Sequence, residues 1–135
     1  MSPAPLPPDE TERRATLHSL NLLDTPAEPF FDDLVALAVD LAGTETAMVS
    51  LIDADRQWFK ACVGLDATET PRDLAFCAHA ILGDDVFWIE DARVDPRFAG
   101  NPLVTGKPFI RFYAGAPIRV GRHAVGTVCV IDRSP

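Results

Sequence analysis

The sequence has 135 residues, with 20 acidic against 12 basic side chains and a formal net charge of −8. This length fits one domain, and 47% hydrophobic with 24% charged residues is ordinary for a folded chain, which excludes a disordered class. The negative charge argues against nucleic acid or an anionic membrane as partner, because phosphate groups would be repelled. With no long apolar run, no secretory signal and three widely spaced cysteines, we expect a cytoplasmic protein.

The first eight residues contain four of the 12 prolines. Proline favours polyproline II conformation over helix, and this segment carries few apolar side chains to bury. We therefore predict a disordered leader at 1–8 and one domain at 9–135.

A first helix is predicted over 9–22. Acidic residues at Asp9–Glu12 favour a helix N-terminus, and Leu17 and Leu20 follow at helical spacing. The apolar stripe is narrow, which suits packing on one neighbour, either the domain itself or a second copy of the chain.

A second helix is predicted between Pro29 and Gly43. Glu28 suits the N-cap, Pro29 the first helical position and the glycine a helix stop. Its broad apolar face is typical of a core helix and comprises Phe30, Phe31, Leu34, Val35, Leu37, Ala38 and Leu41.

The rest of the sequence predicts mainly strands and loops. Two hairpins are expected from alternating apolar residues, with strands at 46–52 and 57–63 and at 111–120 and 124–131. Between them we predict, in order, a loop at 64–72, a short helix at 73–82, a strand at 86–90 and a long loop at 91–107. Pro117 lacks an N–H and should lie at a sheet edge or a bulge. This order predicts an α+β domain with one antiparallel sheet, helices covering one face, and loops with a short helix on the other.

Several segments match one known family in the right order along the chain. They are Leu23-Asp24-Thr25-Pro26, Val49-Ser50-Leu51-Ile52-Asp53, Asp55-Arg56-Gln57-Trp58-Phe59-Lys60, Val63-Gly64-Leu65, Pro71-Arg72-Asp73, Phe76-Cys77-Ala78-His79-Ala80-Ile81, Asp91-Ala92-Arg93, Asp95-Pro96-Arg97-Phe98, Arg111-Phe112-Tyr113-Ala114-Gly115-Ala116-Pro117-Ile118 and Gly126-Thr127-Val128-Cys129-Val130-Ile131-Asp132. With these motifs the stretch 12–132 resembles the GAF sensory domain found at the N-terminus of bacterial histidine kinases and diguanylate cyclases.

The resemblance implies a GAF/PAS-like central antiparallel sheet of about six strands, N-terminal helices on one face and a ligand cavity on the other. It implies a non-enzymatic sensory module of a bacterial signal-transduction protein that binds a small molecule or forms a homodimer through its N-terminal helices. A kinase or cyclase effector in cis is expected if the chain is part of a longer protein. Family members usually continue into a C-terminal connecting helix, which we do not expect within 9–135. Because family members bind very different ligands, the family indicates architecture and not chemistry.

Arg111 is the strongest candidate for anion binding, because it precedes Phe112 and Tyr113 on a strand that should border the cavity. A guanidinium can hold a carboxylate or phosphate while aromatic rings stack on a planar group. The alternative is a structural ion pair of Arg111 with Asp91 or Asp95. With Arg93 and Arg97 in the same loop, the cleft is expected to be locally basic.

Cys77 and His79 lie in the predicted short helix, where residues two apart point in different directions and cannot pair with each other. A small buried cysteine and a hydrogen-bonded histidine are the simplest interpretation. Bilin-binding GAF domains attach their pigment to a cysteine directly followed by histidine, whereas Ala78 intervenes here. A bilin or haem sensor, or a thiol-dependent reductase using Cys77, remains as an alternative, and no metal site or cofactor is predicted.

Trp58 and Trp88 are expected in the core, since large aromatic side chains dominate burial. Taken together, the residues expected to contact a ligand are Arg111, Tyr113, Phe112, Cys77, His79, Phe76, Asp91, Arg93, Phe98 and Trp58.

Overall fold

A computed structural model describes residues 3–134 and shows a six-stranded antiparallel sheet with helices on both sides. The helices are α1 (Glu10–Ser19), α2 (Pro29–Ala42), α3 (Cys77–Ala80) and α4 (Pro102–Thr105). The strands are β1 (Thr46–Ile52), β2 (Arg56–Val63), β3 (Glu69–Pro71), β4 (Phe87–Ile89), β5 (Phe112–Val120) and β6 (His123–Asp132). Single 3-10 turns lie at Arg72–Leu74 and Ala92–Val94. The predicted α+β class with one antiparallel sheet is confirmed.

The strand order is β3-β2-β1-β6-β5-β4, with β1 and β6 at the centre. Alternation along β1 divides its side chains between two buried layers: Ala47 and Val49 face α2, whereas Met48 and Ile52 face the opposite side. All seven residues of β1 are therefore buried, as expected for a central strand covered on both faces.

The ends of α2 follow from its sequence. Glu28 is extended (φ −127°, ψ 135°) and Pro29 occupies the first turn, where a missing N–H costs nothing. Gly43 ends the helix with φ 69°, and its N–H donates to the carbonyl of Val39 over 2.9 Å. Both predicted signals are confirmed.

The apolar face of α2 was predicted to be entirely core, and this was wrong for three residues. Val35 is buried, but Phe30, Leu37 and Leu41 are 70%, 53% and 79% exposed. The helix packs on the sheet along one side only, where Val35 contacts a cluster with Ala47, Val49 and Ala61.

In contrast, the narrow stripe of α1 packs against the domain itself. Leu17 is fully buried against Leu51, Trp58 and Val125. Trp58 is therefore a core residue, as predicted. Trp88 is not, because it lies on the short edge strand β4 and is 64% exposed.

Two further element predictions need correction. The loop predicted at 64–72 contains the edge strand β3, which pairs with β2 between Arg56 and Trp58. The helix predicted at 73–82 is reduced to a 3-10 turn and the four residues of α3. Pro117 is placed as predicted: it pairs only with β6, beyond the last β4 partner at Gly115 and beside an irregular register at Ile118.

Of the predicted leader, Met1 and Ser2 lie outside the described residues, as does Pro135. Residues 3–7 form no regular helix or strand, and the carbonyl of Pro7 accepts a hydrogen bond from the N–H of Glu10. Disorder of 1–8 stays a prediction. Among residues 3–134 no helix is both long and apolar enough to cross a bilayer.

Candidate functional site

A cavity of about 480 Å³ lies between the sheet and the layer formed by α3, α4 and their loops. This volume is within the range of small-molecule sites, roughly 300–1,000 Å³. Most of its wall is apolar and comprises Met48, Phe59, Leu65, Phe76, Leu103, Ile110, Tyr113 and Ile131. The predicted cavity on the face opposite α1 and α2 is thus present.

Gln57 is a buried polar residue on the cavity wall. Its Nε2 donates to Thr70 Oγ1 over 3.0 Å, whereas its Oε1 is buried and has no hydrogen-bond partner in the described part of the chain. A buried acceptor left without a donor costs roughly 1–3 kcal/mol. A ligand or water in the cavity recovers that cost only if the Gln57 side chain rotates to bring this atom to the cavity surface.

The rim of the cavity carries charge. Arg133 is paired with Glu45, with Nη2 and Oε2 3.0 Å apart. Lys107 is exposed, and within residues 3–134 it takes part in no ion pair. The rim can therefore offer one ammonium group to an anionic end of a ligand.

Cys77 is the polar centre of the cavity floor. Tyr113 Oη and Thr127 Oγ1 each donate a hydrogen bond to its sulfur over 3.0 Å, and the sulfur of Cys129 lies 3.7 Å away. Ser50 Oγ is 2.9 Å from Thr127 Oγ1 and extends the chain of hydroxyls. All five side chains are buried.

Burial alone would raise the pKa of Cys77, but hydrogen bonds from Cys129, Ser50, Thr127 and Tyr113 outweigh it and hold the pKa below its usual range. The hydrogen bond with Cys77, followed by burial, raises the pKa of Cys129 well above its usual range. Burial also raises the pKa of Tyr113, so its phenol stays protonated and able to donate. Cys77 is thus the thiol of the pair whose ionisation these hydrogen bonds favour.

An aromatic cluster closes the site from the side of α3. Phe76 stacks on Phe98 with ring centroids 4.1 Å apart, and it contacts Tyr113 at 5.3 Å. His79 packs edge-on against Phe98 at 4.8 Å. Because these rings interlock, α3 is fixed relative to β5 and holds Cys77 in place.

Of the ten predicted ligand residues, the cavity wall includes Phe76, Cys77 and Tyr113. Phe98 and His79 lie behind Phe76 as its packing partners. Phe112 borders a separate depression beside Trp88. Trp58 lies on the opposite face of the sheet, under α1, so its place among ligand residues is not supported by the geometry.

The arginines that were expected to make the cleft basic are engaged in other contacts. Arg111 Nη1 donates to the carbonyls of Val104 and Ile110, at 2.8 and 3.2 Å, and so ties down the end of α4. Arg93 pairs with Asp91 and Arg97 with Asp95, each two residues apart in the exposed loop. Arg111 therefore has neither of the predicted aspartate partners, and these arginines do not line the cavity.

Sequence reasoning did not single out Gln57, Lys107, Thr127 or Cys129. A usable signal existed for the last two, because alternation along β6 places them on one face, and the pairing of β1 with β6 sets Thr127 opposite Ser50. Gln57 carried no such signal, since glutamine inside a strand is normally solvent-exposed.

The sheet order, the helices on one face and the cavity on the other define a small α+β domain of a kind that the comparisons with known proteins identify. The family model described as GAF domain matches residues 26–135, and the chain belongs to this family. It is 47% identical over 136 residues to the cyclic di-GMP phosphodiesterase PA2567 of Pseudomonas aeruginosa. That match covers 100% of this chain but 23% of the relative, which is a much longer protein.

Solved structures of GAF domains share the fold. The GAF domain of a phosphoenolpyruvate-protein phosphotransferase from Coxiella burnetii superposes with a TM-score of 0.64 at 11% identity, over 92% of this chain and 77% of that one. The GAF domain of the corresponding protein from Acinetobacter superposes with a TM-score of 0.62 at 17% identity, over 92% of this chain and 78% of that one. A free methionine-R-sulfoxide reductase from Neisseria meningitidis, solved with its substrate, superposes with a TM-score of 0.63 at 14% identity, over 99% of this chain and 82% of that one. At these identities the likeness shows the fold alone.

Proposed function

We propose that this chain is a non-enzymatic sensory module that binds a small molecule in the cavity beside Cys77 and regulates an effector domain of the same protein. The observation that carries the proposal is the largely apolar cavity of about 480 Å³, whose wall includes the polar side chain of Gln57. An apolar body with a hydrogen-bond donor for Gln57 and an anionic end for Lys107 would match the wall and the rim.

The nature of the effector follows from the relative and not from the cavity. The matching region is 23% of a protein named as a cyclic di-GMP phosphodiesterase, so the GAF segment there adjoins a much longer chain. We infer an effector in cis that acts in cyclic di-GMP signalling, which narrows the kinase or cyclase effector that the family resemblance implied. A cytoplasmic location is part of the same proposal.

Homodimerisation is proposed through α2 in place of α1. The exposed side chains of Phe30, Leu37 and Leu41 lie along one side of α2, whereas the apolar stripe of α1 is already buried within the domain. A second copy that covers this side would bury the exposed apolar surface.

A route from the cavity to the helical layer supports a signalling role. Arg72 lies in the 3-10 turn that leads into Phe76 and Cys77, and its guanidinium is bound to the carboxylate of Glu10 on α1. A ligand that displaces α3 would therefore also displace Arg72 and strain its ion pair with Glu10 on α1.

The cavity is tested with the dye 1-anilinonaphthalene-8-sulfonate, which combines a planar apolar body with an anionic group. We expect one dye bound per chain, and loss of binding in Ala67→Trp, because Ala67 lines the cavity and the indole would fill it. Ala99→Trp, at an exposed loop position, is the matched control and should bind like the unmodified chain. Dye displacement then serves to screen anionic metabolites. Equal binding by all three proteins would show that the dye sits on the surface and would remove the cavity from the proposal.

A further inference from the structure

Cys77, which lines the cavity, forms a pair of free thiols with Cys129. Their sulfurs are 3.7 Å apart, and each residue is 1% exposed. Cys77 belongs to α3 and Cys129 to β6, so a disulfide between them would link α3 covalently to a central strand of the sheet.

The geometry is close to that of a disulfide. A disulfide bond is about 2.05 Å long, so the two sulfurs need to approach by less than about 2 Å, a distance that side-chain rotation covers. Cys77 also lines the cavity, so a small oxidant that enters the cavity comes into contact with this residue.

The surroundings assign different roles to the two cysteines. The hydroxyl groups of Tyr113 and Thr127 donate to Cys77 and stabilise its thiolate, the reactive form of cysteine. The hydrogen bond with Cys77, together with burial, raises the pKa of Cys129 and favours its thiol form. Cys77 is thus suited to attack and Cys129 to resolve.

We propose that Cys77 and Cys129 are a peroxide-responsive dithiol pair, with a small hydroperoxide as the oxidant. The Cys77 thiolate attacks the terminal peroxide oxygen, an S–O bond forms, the O–O bond breaks, and the alkoxide or hydroxide leaves and takes up a proton. The sulfur of Cys129 then attacks the sulfenic acid, forms the S–S bond and releases water with its own proton. In total, two thiols and one hydroperoxide give one disulfide, one alcohol or water, and one water.

Oxidation would change the cavity itself. The disulfide turns the Cys77 sulfur, which accepts hydrogen bonds from the buried hydroxyl groups of Tyr113 and Thr127, into a weaker acceptor. Buried donors do not stay unpaired without cost, so both side chains must find new partners. The shape and polarity of the cavity floor therefore depend on the redox state.

Cys62 provides an internal reference. Cys62 packs against the same hydrophobic cluster as Cys77 and Cys129. Its sulfur donates a hydrogen bond to the carbonyl of Leu65 over 3.4 Å, and burial raises its pKa. A thiol with a raised pKa holds less thiolate at neutral pH and reacts more slowly with peroxide.

The test treats the reduced chain with hydrogen peroxide at pH 7 and follows free thiols and intact mass. We expect two thiols to disappear with a mass loss of two hydrogens, a linked peptide pair containing Cys77 and Cys129, and reversal by dithiothreitol. Cys77 should react about tenfold or more faster than Cys62. Cys62→Ser should oxidise identically, whereas Cys129→Ser should stop at a sulfenic acid that dimedone traps.

Three results would overturn the proposal: oxidation of Cys62 as fast as Cys77, a disulfide between two chains, or no dimedone adduct in Cys129→Ser. Thermal unfolding of each variant before oxidation confirms that it is folded. The thiol count is independent of dye binding, so this inference and the proposed ligand site succeed or fail separately.

Discussion

The carboxylate of Glu10 on α1 accepts two hydrogen bonds from the guanidinium of Arg72, with Nη1–Oε2 at 2.6 Å and Nη2–Oε1 at 3.0 Å. Arg13 bonds to the same carboxylate from the other side and also donates to the carbonyl of Ile52. Both arginines are buried, so one glutamate compensates two buried charges. This arrangement ties α1 to the turn that leads into α3.

The first prediction concerns pH. Burial would raise the pKa of Glu10, but hydrogen bonds from Arg72 and Arg13 lower it to about 2. The folded state therefore gains about 3 kcal/mol of stability at pH values above the ordinary glutamate pKa, and this gain is lost as the pH falls from about 4.5 through 2. In Glu10→Gln the free energy of unfolding at pH 7 should fall by about 3 kcal/mol, and its decrease over the acid window should be smaller than in the unmodified chain.

Denaturant unfolding at a series of pH values measures both effects. Glu12→Gln is the matched control, because Glu12 lies on the same helix but is exposed. A Glu10→Gln curve that superimposes on that of Glu12→Gln would mean that the ion pair with Arg72 contributes nothing to stability.

The second prediction concerns Lys60, whose side chain is completely buried on the helical face of the sheet. The register between β1 and β2 shifts by one residue at this position, which leaves Lys60 as the extra residue of a bulge. Its Nζ donates to Thr25 Oγ1 and to the carbonyl of Pro26, at 2.6 and 2.7 Å, and pairs with Glu28.

Lys60→Met keeps the aliphatic length but removes the donor to the segment between α1 and α2. We expect a loss of about 2 kcal/mol in the free energy of unfolding and faster amide exchange over 22–28. Lys107→Met, at an exposed position, should stay within about 0.5 kcal/mol of the unmodified chain. Equal stability of the two variants would contradict a structural role for Lys60.

These residues also show where sequence reasoning succeeded and where it stopped. The ends of α2 could be predicted because Glu28, Pro29 and Gly43 act through local backbone conformation. The burial of Lys60 depends on a bulge set by strand pairing, and the exposure of Trp88 depends on β4 being a short edge strand. Neither can be derived from local sequence, because both are decided by tertiary contacts.

Some residues of the candidate site could likewise be predicted from the sequence, and others could not. Cys77, Phe76 and Tyr113 were predicted because their motifs stand out in the sequence, and all three line the cavity, while their contact with a ligand stays a prediction. The motif with Arg111 was misleading, since a guanidinium bound to main-chain carbonyls looks the same in sequence as one that awaits an anion.

The third prediction concerns Gly115, which makes room for the phenol of Tyr113. A Cβ atom at Gly115 would lie 2.2 Å from Tyr113 Oη, closer than any real contact, so the ring would have to move away from Cys77. Gly115→Ala should cost about 1–3 kcal/mol and slow the alkylation of Cys77 by iodoacetamide at pH 7, because the thiolate loses a donor.

Gly83→Ala is the control, since a Cβ there meets nothing within 4 Å. It should leave the alkylation rate of Cys77 and the free energy of unfolding close to those of the unmodified chain. If Gly115→Ala lowers stability without changing the rate, the hydrogen bond from Tyr113 does not activate Cys77.

The last prediction concerns the exposed side of α2. Leu41 is 79% exposed and lies on the same side of the helix as Phe30 and Leu37, whereas Val94 is 80% exposed in a 3-10 turn outside the helical layer. If a second copy covers α2, Leu41→Asp should shift the chain from dimer to monomer, because a carboxylate would have to be buried without a partner. Val94→Asp introduces the same charge at equal exposure and should leave the dimer intact. Sedimentation equilibrium over a range of concentrations measures the difference; a monomeric unmodified chain, or equal dissociation of both variants, would rule out α2 as the dimer interface.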